Sequence, residues 1–121
     1  MSFASVEFKM DTRGLDALLR QAPDIADDVA LALAFEVEAR AKIHAAVDTG
    51  FMQSNIDTEG PDVHGRGQAV VTSAADYSIY VELGTRNAAA QPFMAPAVAE
   101  TEAHATEVGQ KILNKRLAGI T

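Results

Sequence analysis

The residues of this sequence that could perform chemistry are three histidines and a few isolated carboxylates. His44, His64 and His104 lie 20 and 40 residues apart. Zinc ligands usually follow one another at short fixed spacings, such as the two histidines of HExxH on one face of a helix. No such spacing surrounds any of the three. We interpret His44 and His104 as helix surface residues and His64 as a loop residue, and we expect no metal site.

Glu82 is the carboxylate with the most unusual sequence context. It ends the apolar run 77–81 and stands two residues before Gly84, so we expect it to be partly buried. A catalytic carboxylate needs a second acid, a base or a metal ion close to it. Asp76 and His64 are available as partners. One hypothesis is therefore a small metal-dependent hydrolase or nuclease that uses Glu82 with Asp76 or His64.

The second hypothesis gives Glu82 a structural role. In that role its carboxylate accepts hydrogen bonds from the turn at Gly84 and Thr85, or pairs with Arg86 of the same or a neighbouring subunit. No motif joins Glu82 to a second acid, and the sequence contains neither a nucleophile elbow nor a phosphate-binding glycine loop. The structural role is favoured, and no catalytic residue or cofactor is expected.

Composition excludes several other classes of function. The net charge is −7, from 17 acidic and 10 basic residues, and the basic residues are scattered. Because clustered Lys and Arg supply most of the affinity for phosphates, sequence-specific nucleic-acid binding is not expected. With no cysteine, a disulfide scaffold and thiolate chemistry are excluded. No apolar run is long enough to cross a membrane, and the first ten residues do not resemble a secretory signal.

Hydrophobic periodicity predicts a single α+β domain over residues 1–121. It predicts a small, mainly antiparallel sheet packed against a long helix and a C-terminal helix. The long helix begins near Asp24, where acidic residues favour its first turn, and reaches about Val47, with Gly50 just beyond it as the residue that ends helices. The expected order is β-α-α-β-β-β-α, with strands at 2–10, 51–58, 68–73 and 77–81, helices at 11–20, 24–47 and 96–117, and a hairpin loop at 59–67.

The segment 77–97 combines an expected strand, a polar loop and a phenylalanine bounded by prolines. Residues 84–91 have small or polar side chains, and a loop of this kind in a small domain is either disordered or used for contact. Phe93 lies between Pro92 and Pro96. It is either a core residue or an anchor across an interface, because buried aromatic side chains commonly carry interface energy.

Two sequence blocks resemble the HK97 gp10-like tail-completion or neck proteins of tailed phages and prophages. The first is DTGFMQSNI at 48–56. The second is YSIYVELGT at 77–85 followed by PFMAPA at 92–97, in the family's order and with the expected loop between its halves. Leu83 stands where the family has an aromatic residue.

The resemblance implies a structural virion protein and not an enzyme. Similar proteins are tail terminators, which form rings, commonly hexameric, that cap the tail tube and join it to the head-closure proteins. The implied partners are other copies of the chain, the tail-tube protein and the head-closure or connector proteins. DNA would pass through the lumen without specific binding, and no membrane is involved. The implied location is the tail or neck of the virion, after assembly in the bacterial host cytoplasm.

We expect the assembly contacts to come from the two blocks and the loop at 84–91, which we predict to be a flexible contact loop. The expected contact residues are Asp48, Thr49, Gly50, Tyr77, Tyr80, Glu82, Gly84, Thr85, Arg86, Pro92, Phe93 and Pro96.

Overall fold

The structure is a computed structural model that describes residues 20, 22–45, 55–73 and 78–118. The strand expected at 2–10 and nearly all of the helix expected at 11–20 lie outside the described residues. The same holds for the DTG residues at 48–50, and for Asp76 and Tyr77.

The long helix α1 spans Pro23–His44 and organises the fold. Pro23 occupies the first turn, where its missing N–H group has no intrahelical partner to lose, and Asp24 complements the positive end of the helix dipole. Its buried positions recur at helical spacing and face the core. They are Ala26, Val29, Leu33, Ala34, Val37 and Ala41. The predicted helix at 24–47 is confirmed, although it ends three residues earlier than expected.

Two short strands pair beside α1. Strand β1 (Ile56–Glu59) is antiparallel to β2 (Val70–Ser73), with Ile56 opposite Ser73 and Glu59 opposite Val70. The strands expected at 51–58 and 68–73 are confirmed at residues 56–58 and 70–73, whereas residues 55, 68 and 69 lie outside them. The connection between them contains one turn of helix, α2 (Pro61–His64), where only turns and loop were expected.

The strand expected at 77–81 is wrong, because Ser78–Leu83 forms a short helix, α3. Aromatic and β-branched residues favour strands only weakly, and tertiary contacts override that preference. Val81 and Glu82 turn inward, whereas Tyr80 and Leu83, three residues apart, are both exposed. That pattern matches a helix, since a strand would place residues 80 and 82 on the same face.

The single C-terminal helix expected from Pro96 is also wrong. Helix α4 spans Met94–Ala103 and helix α5 spans Ala105–Ala118, separated at His104. The His104 N–H group donates to Thr101 O at 2.9 Å, a tighter turn than that of an α-helix. The inward-facing positions stay in helical phase across this break, so their spacing could not reveal it.

The core lies between α1, the sheet and α4. Phe93, Ile56 and Met94 are among its largest fully buried side chains. A second cluster joins α1 to α5 through Val29, Leu33 and Ala105. The α+β class is therefore confirmed, with five helices and a two-stranded sheet among the described residues. No described helix combines the length and the apolar character needed to span a membrane.

Candidate functional site

Glu82 binds the N-terminus of α4 with both carboxylate oxygens. Its Oε1 accepts hydrogen bonds from the backbone N–H groups of Phe93, at 3.0 Å, and Met94, at 2.9 Å. Its Oε2 accepts from the N–H group of Ala95 at 3.1 Å. Only 4% of the Glu82 surface is exposed. A buried carboxylate is tolerated here because charge-assisted hydrogen bonds replace its water shell.

These bonds account for the donors at the start of α4. A helix begins with about four N–H groups that lack an intrahelical acceptor. In α4 the first four positions are Phe93, Met94, Ala95 and Pro96. The N–H groups of the first three donate to Glu82, and Pro96 has no N–H group to satisfy. Phe93 occupies the N-cap position, and its own side chain makes no capping hydrogen bond. Glu82, eleven residues upstream, supplies the cap.

The donors predicted for Glu82 in the adjacent turn were therefore wrong, and the predicted pair with Arg86 does not form within the subunit, while pairing with Arg86 of a neighbouring subunit stays a prediction. The N–H group of Gly84 donates to Tyr80 O, and that of Thr85 donates to Ala88 O, both at 2.8 Å. Arg86 forms no ion pair with any described residue. The predicted role of Glu82 as a structural hydrogen-bond acceptor is right, but its donors are the N–H groups of residues 93–95 instead of those of the adjacent turn.

Phe93 has no exposed surface and packs into the main core cluster. Of the two roles that its sequence context left open, the structure places its side chain in the core of the subunit. Pro92 is exposed and Pro96 is half-buried. The buried Phe93 therefore holds the start of α4 against the core, where Glu82 accepts its free N–H groups.

Residues 84–91 form a structured projection that we call the arm. Its tip is a tight turn in which the Thr85 hydroxyl oxygen accepts from the N–H groups of Asn87, at 3.3 Å, and Ala88, at 3.1 Å. The base is closed by the N–H group of Gln91, which donates to Val81 O at 2.8 Å. The arm residues after Gly84 are all exposed.

Gly84 is the residue that allows the arm to leave α3. Its φ of +79° lies in the left-handed region, and a Cβ atom at this position would lie 2.7 Å from the Ala90 backbone nitrogen. Both the dihedral angle and the close backbone approach require glycine.

The exposed part of the site consists of Tyr80 and Leu83 on α3 together with the arm. Tyr80 is 60% exposed and Leu83 is 69% exposed. Thr85 and Arg86 extend this surface from the arm. We call it the α3–arm patch. Sequence reasoning missed Leu83, because a strand pattern gives no reason to expect a large apolar residue on the outside.

The three histidines pair with carboxylates other than Glu82. The Nε2 atom of His44 lies 2.9 Å from Glu100, and that of His64 lies 3.3 Å from Glu59. His104 lies beside Glu107 on α5. Among the described residues, no group of three or more potential ligands could hold a metal ion. Glu82 is bound by three backbone N–H groups, and His64 pairs with Glu59. These two described residues of the proposed hydrolase site therefore do not act on a common substrate or metal ion in this arrangement.

The hydrogen bond from His44 changes the acidity of Glu100. His44 first, and then the charges of His44 and Arg40, stabilise the carboxylate and hold the pKa of Glu100 below its usual value of 4.5. Glu100 thereby ties the outer surface of α4 to the last turns of α1. This is a structural ion-pair network, of the kind that surface pairs commonly form.

Comparison with known proteins agrees with the family suggested by the motifs. The sequence model of the HK97-gp10-like phage tail component family matches residues 12–84, which are 73 of the 121 residues. The chain belongs to this family. The match includes the DTG block, α1, the sheet and α3, and it ends where the arm begins. Neither the curated proteins nor the solved structures contain a match to the chain.

Membership of this family identifies a phage tail component that functions with other virion proteins. The assembly roles expected for Tyr80, Gly84, Thr85 and Arg86 remain predictions, and the geometry places all four on or beside the α3–arm patch. The expected contact residues at 48–50 and 77 lie outside the described part of the chain. Glu82 and Phe93 are buried, so any effect that they have on assembly is indirect and acts through the fold of the subunit.

Proposed function

We propose that this chain is the ring-forming subunit that completes the phage tail. In this role it caps the tail tube and joins the tube to the head-closure proteins. Membership of the HK97-gp10-like tail component family supports this role. The observation that carries the proposal furthest is the α3–arm patch, an exposed projection fixed to the core by the three hydrogen bonds of Glu82.

A projection held by its own hydrogen bonds suits assembly for an energetic reason. Binding by a disordered loop costs conformational entropy when the loop becomes ordered, whereas a preorganised loop avoids most of that cost. The turn at Thr85 and the closure at Gln91 give the arm internal hydrogen bonds that favour this conformation before any partner binds. The exposed apolar side chains of Tyr80 and Leu83 then provide surface whose burial favours association.

The proposed assembly is a homo-oligomeric ring, a hexamer in the virion, through whose lumen DNA passes. The net charge of −7 supports a passage without specific binding, since tight phosphate contact needs clustered cations. The proposed role is structural and not enzymatic. In support of this, the hydrogen bonds of Glu82 already occupy the buried carboxylate that was the best candidate for catalysis.

The proposal can be tested by adding the purified chain to tail-tube protein from the same phage. Electron microscopy should reveal tubes capped at one end, with elongation stopped at that end and a gold-labelled chain located there. The Leu83→Glu variant should fold normally and fail to cap. Val63→Glu is the matched control, because Val63 is also an exposed apolar residue, 59% accessible, on a different element.

Binding along the sides of the tubes, or uninterrupted growth with the wild-type chain present, would contradict a capping role. Equal capping by the Leu83→Glu and wild-type chains would exclude the α3–arm patch as the contact surface.

A further inference from the structure

The tip of the arm is a tight turn that displays Arg86 and Asn87. Thr85 and Ala88 pair across it: the Thr85 N–H group donates to Ala88 O at 2.8 Å, and the Ala88 N–H group donates to Thr85 O at 3.4 Å. Arg86 and Asn87 therefore occupy the two central positions, and neither has a positive φ, as in a type I turn. Both side chains are exposed.

The hydroxyl group of Thr85 stabilises this turn. Its oxygen accepts hydrogen bonds from the N–H groups of Asn87, at 3.3 Å, and Ala88, at 3.1 Å. Short hydroxyl side chains at the first position of a turn commonly bond to the backbone in this way. Because the bonded N–H groups belong to the two residues after Arg86, the hydroxyl of Thr85 fixes the direction in which the backbone presents Arg86.

Arg86 carries the one charge of the arm. It is the only charged residue between Glu82 and Glu100. It forms no ion pair with any described residue. Three other described arginines each pair with a carboxylate of their own subunit, namely Arg40, Arg66 and Arg116. An exposed arginine without a described partner in its own subunit is available to bind a group outside it.

The chemistry around Arg86 favours a carboxylate of a protein over a phosphate of a nucleic acid. Nucleic acids are bound through several clustered cations, and the arm has one. Tyr80 and Leu83 expose large apolar surfaces on the adjoining helix α3. Arginine beside exposed aromatic and apolar side chains is typical of protein–protein interfaces. The planar guanidinium group matches the two oxygens of a carboxylate.

We propose that Thr85 is a positioning residue for Arg86, and that Arg86 binds a carboxylate of the protein surface covered by the α3–arm patch at the capped end of the tail tube. Tyr80 and Leu83 supply the apolar part of this contact, and Arg86 makes the contact selective for an acidic partner. Thr85 acts through the turn and not by touching the partner. This inference rests on the proposed capping role and names the chemistry that the patch recognises.

A charge reversal with a matched control tests the role of Arg86. Lys111 is an exposed residue of α5 and also forms no ion pair with a described residue. Arg86→Glu and Lys111→Glu change the net charge equally, so general repulsion changes equally in both. The chain concentration that caps half of the tail tubes should rise at least about tenfold for Arg86→Glu, because a like charge then faces the partner's carboxylate. It should stay near the wild-type value for Lys111→Glu, and equal values for the two variants would overturn the proposal.

A double-mutant cycle tests whether Thr85 acts through Arg86. Thr85→Val keeps the shape of the side chain and removes the acceptor, so the Ala88 amide should exchange its hydrogen faster and capping should weaken. Thr85→Ser retains the hydroxyl and should retain both properties. In the Arg86→Gln background, Thr85→Val should weaken capping little further, because the group that it positions is already gone. The same loss in both backgrounds would mean that Thr85 does not act through Arg86.

Failure of this inference can be distinguished from failure of the proposed function. If the wild-type chain caps tubes and Arg86→Glu caps them equally well, the function stands and the role of Arg86 is rejected. If the wild-type chain does not cap tubes, both are rejected. Fluorescently labelled duplex DNA should not bind the chain, and binding that is lost in Arg86→Glu would assign Arg86 to a phosphate and overturn the carboxylate partner.

Discussion

At the scale of single residues, Glu82 combines features that usually suggest catalysis with a structural role. It is a buried carboxylate close to a glycine turn, and the sequence offers acidic and histidine residues as partners. In the structure, three backbone N–H groups bind its two oxygens. A carboxylate bound in this way has few lone pairs left for a substrate or a metal ion. Its contribution is instead to fix the start of α4 and the return of the arm.

Removing the Glu82 carboxylate should strongly destabilise the chain. Glu82→Ala leaves the N–H groups of Phe93, Met94 and Ala95 without an acceptor, and each buried unsatisfied donor costs about 1–3 kcal/mol. Allowing for partial hydration, we expect a loss of about 3–5 kcal/mol in the free energy of unfolding, measured by urea denaturation. Glu82→Gln retains one acceptor oxygen and should lose roughly half as much. Equal stability of Glu82→Ala and the wild type would contradict the capping role.

The lowered pKa of Glu100 predicts how its stabilising effect changes with pH. A carboxyl group whose pKa is lower in the folded chain stabilises the fold at pH values above its unfolded pKa. That contribution disappears as the pH falls through the folded pKa, below 4.5. Wild type should therefore melt at a higher temperature than Glu100→Gln at neutral pH, and the difference should vanish in acid. Asp62→Asn, an exposed change on α2, is the control. A difference that persisted in strong acid would contradict the ionic origin.

At the scale of elements, sequence periodicity predicted those parts of the fold that have a clear inward face. Helix α1 was recognised because its apolar spacing survives in the folded chain, and strand β2 because it contains the short apolar run 69–71. Helix α3 was not recognised, because its six residues are too few for a helical period and their aromatic and β-branched types favour a strand. The break at His104 was invisible because the apolar spacing continues through it. Long-range capping by Glu82 has no local sequence signal, since its partners follow eleven to thirteen residues later.

Gly84 should be required for the conformation of the arm. Gly84→Ala places a Cβ atom against the Ala90 backbone and forces a left-handed dihedral, which costs about 1–2 kcal/mol before any clash is relieved. The amide of Gln91, which closes the arm, should then exchange its hydrogen at least about tenfold faster, because tenfold corresponds to about 1.4 kcal/mol. Capping of tail tubes should fall with it.

Gly65→Ala is the matched control for Gly84→Ala. Gly65 also has a positive φ, +102°, but a Cβ atom there would meet nothing closer than a side-chain nitrogen of Gln68 at 3.9 Å. This variant should show the cost of the dihedral alone and leave exchange in the arm unchanged. Unchanged exchange at Gln91 in Gly84→Ala would mean that the arm does not depend on the close approach.

At the scale of the whole molecule, charge and apolar surface act in opposite directions on assembly. Each chain carries a net charge of −7, so copies repel one another at long range. Large apolar side chains, Phe35 and Ile43 on α1 and Tyr80 and Leu83 in the α3–arm patch, are exposed, and their burial favours contact. The balance between general repulsion and local apolar attraction therefore sets the concentration at which copies associate.

This balance predicts that added salt strengthens self-association. At about 0.15 M ionic strength the Debye length is about 8 Å, and at 1 M it is about 3 Å, so repulsion between the acidic subunits is screened while apolar contact is not. The midpoint concentration for ring formation, measured by light scattering, should fall as sodium chloride is raised through this range. Leu83→Glu adds a charge to the contact and should remain less associated than wild type at every salt concentration. Weaker association at high salt would mean that ion pairs between subunits outweigh the apolar contact, and would contradict an apolar contact through the α3–arm patch.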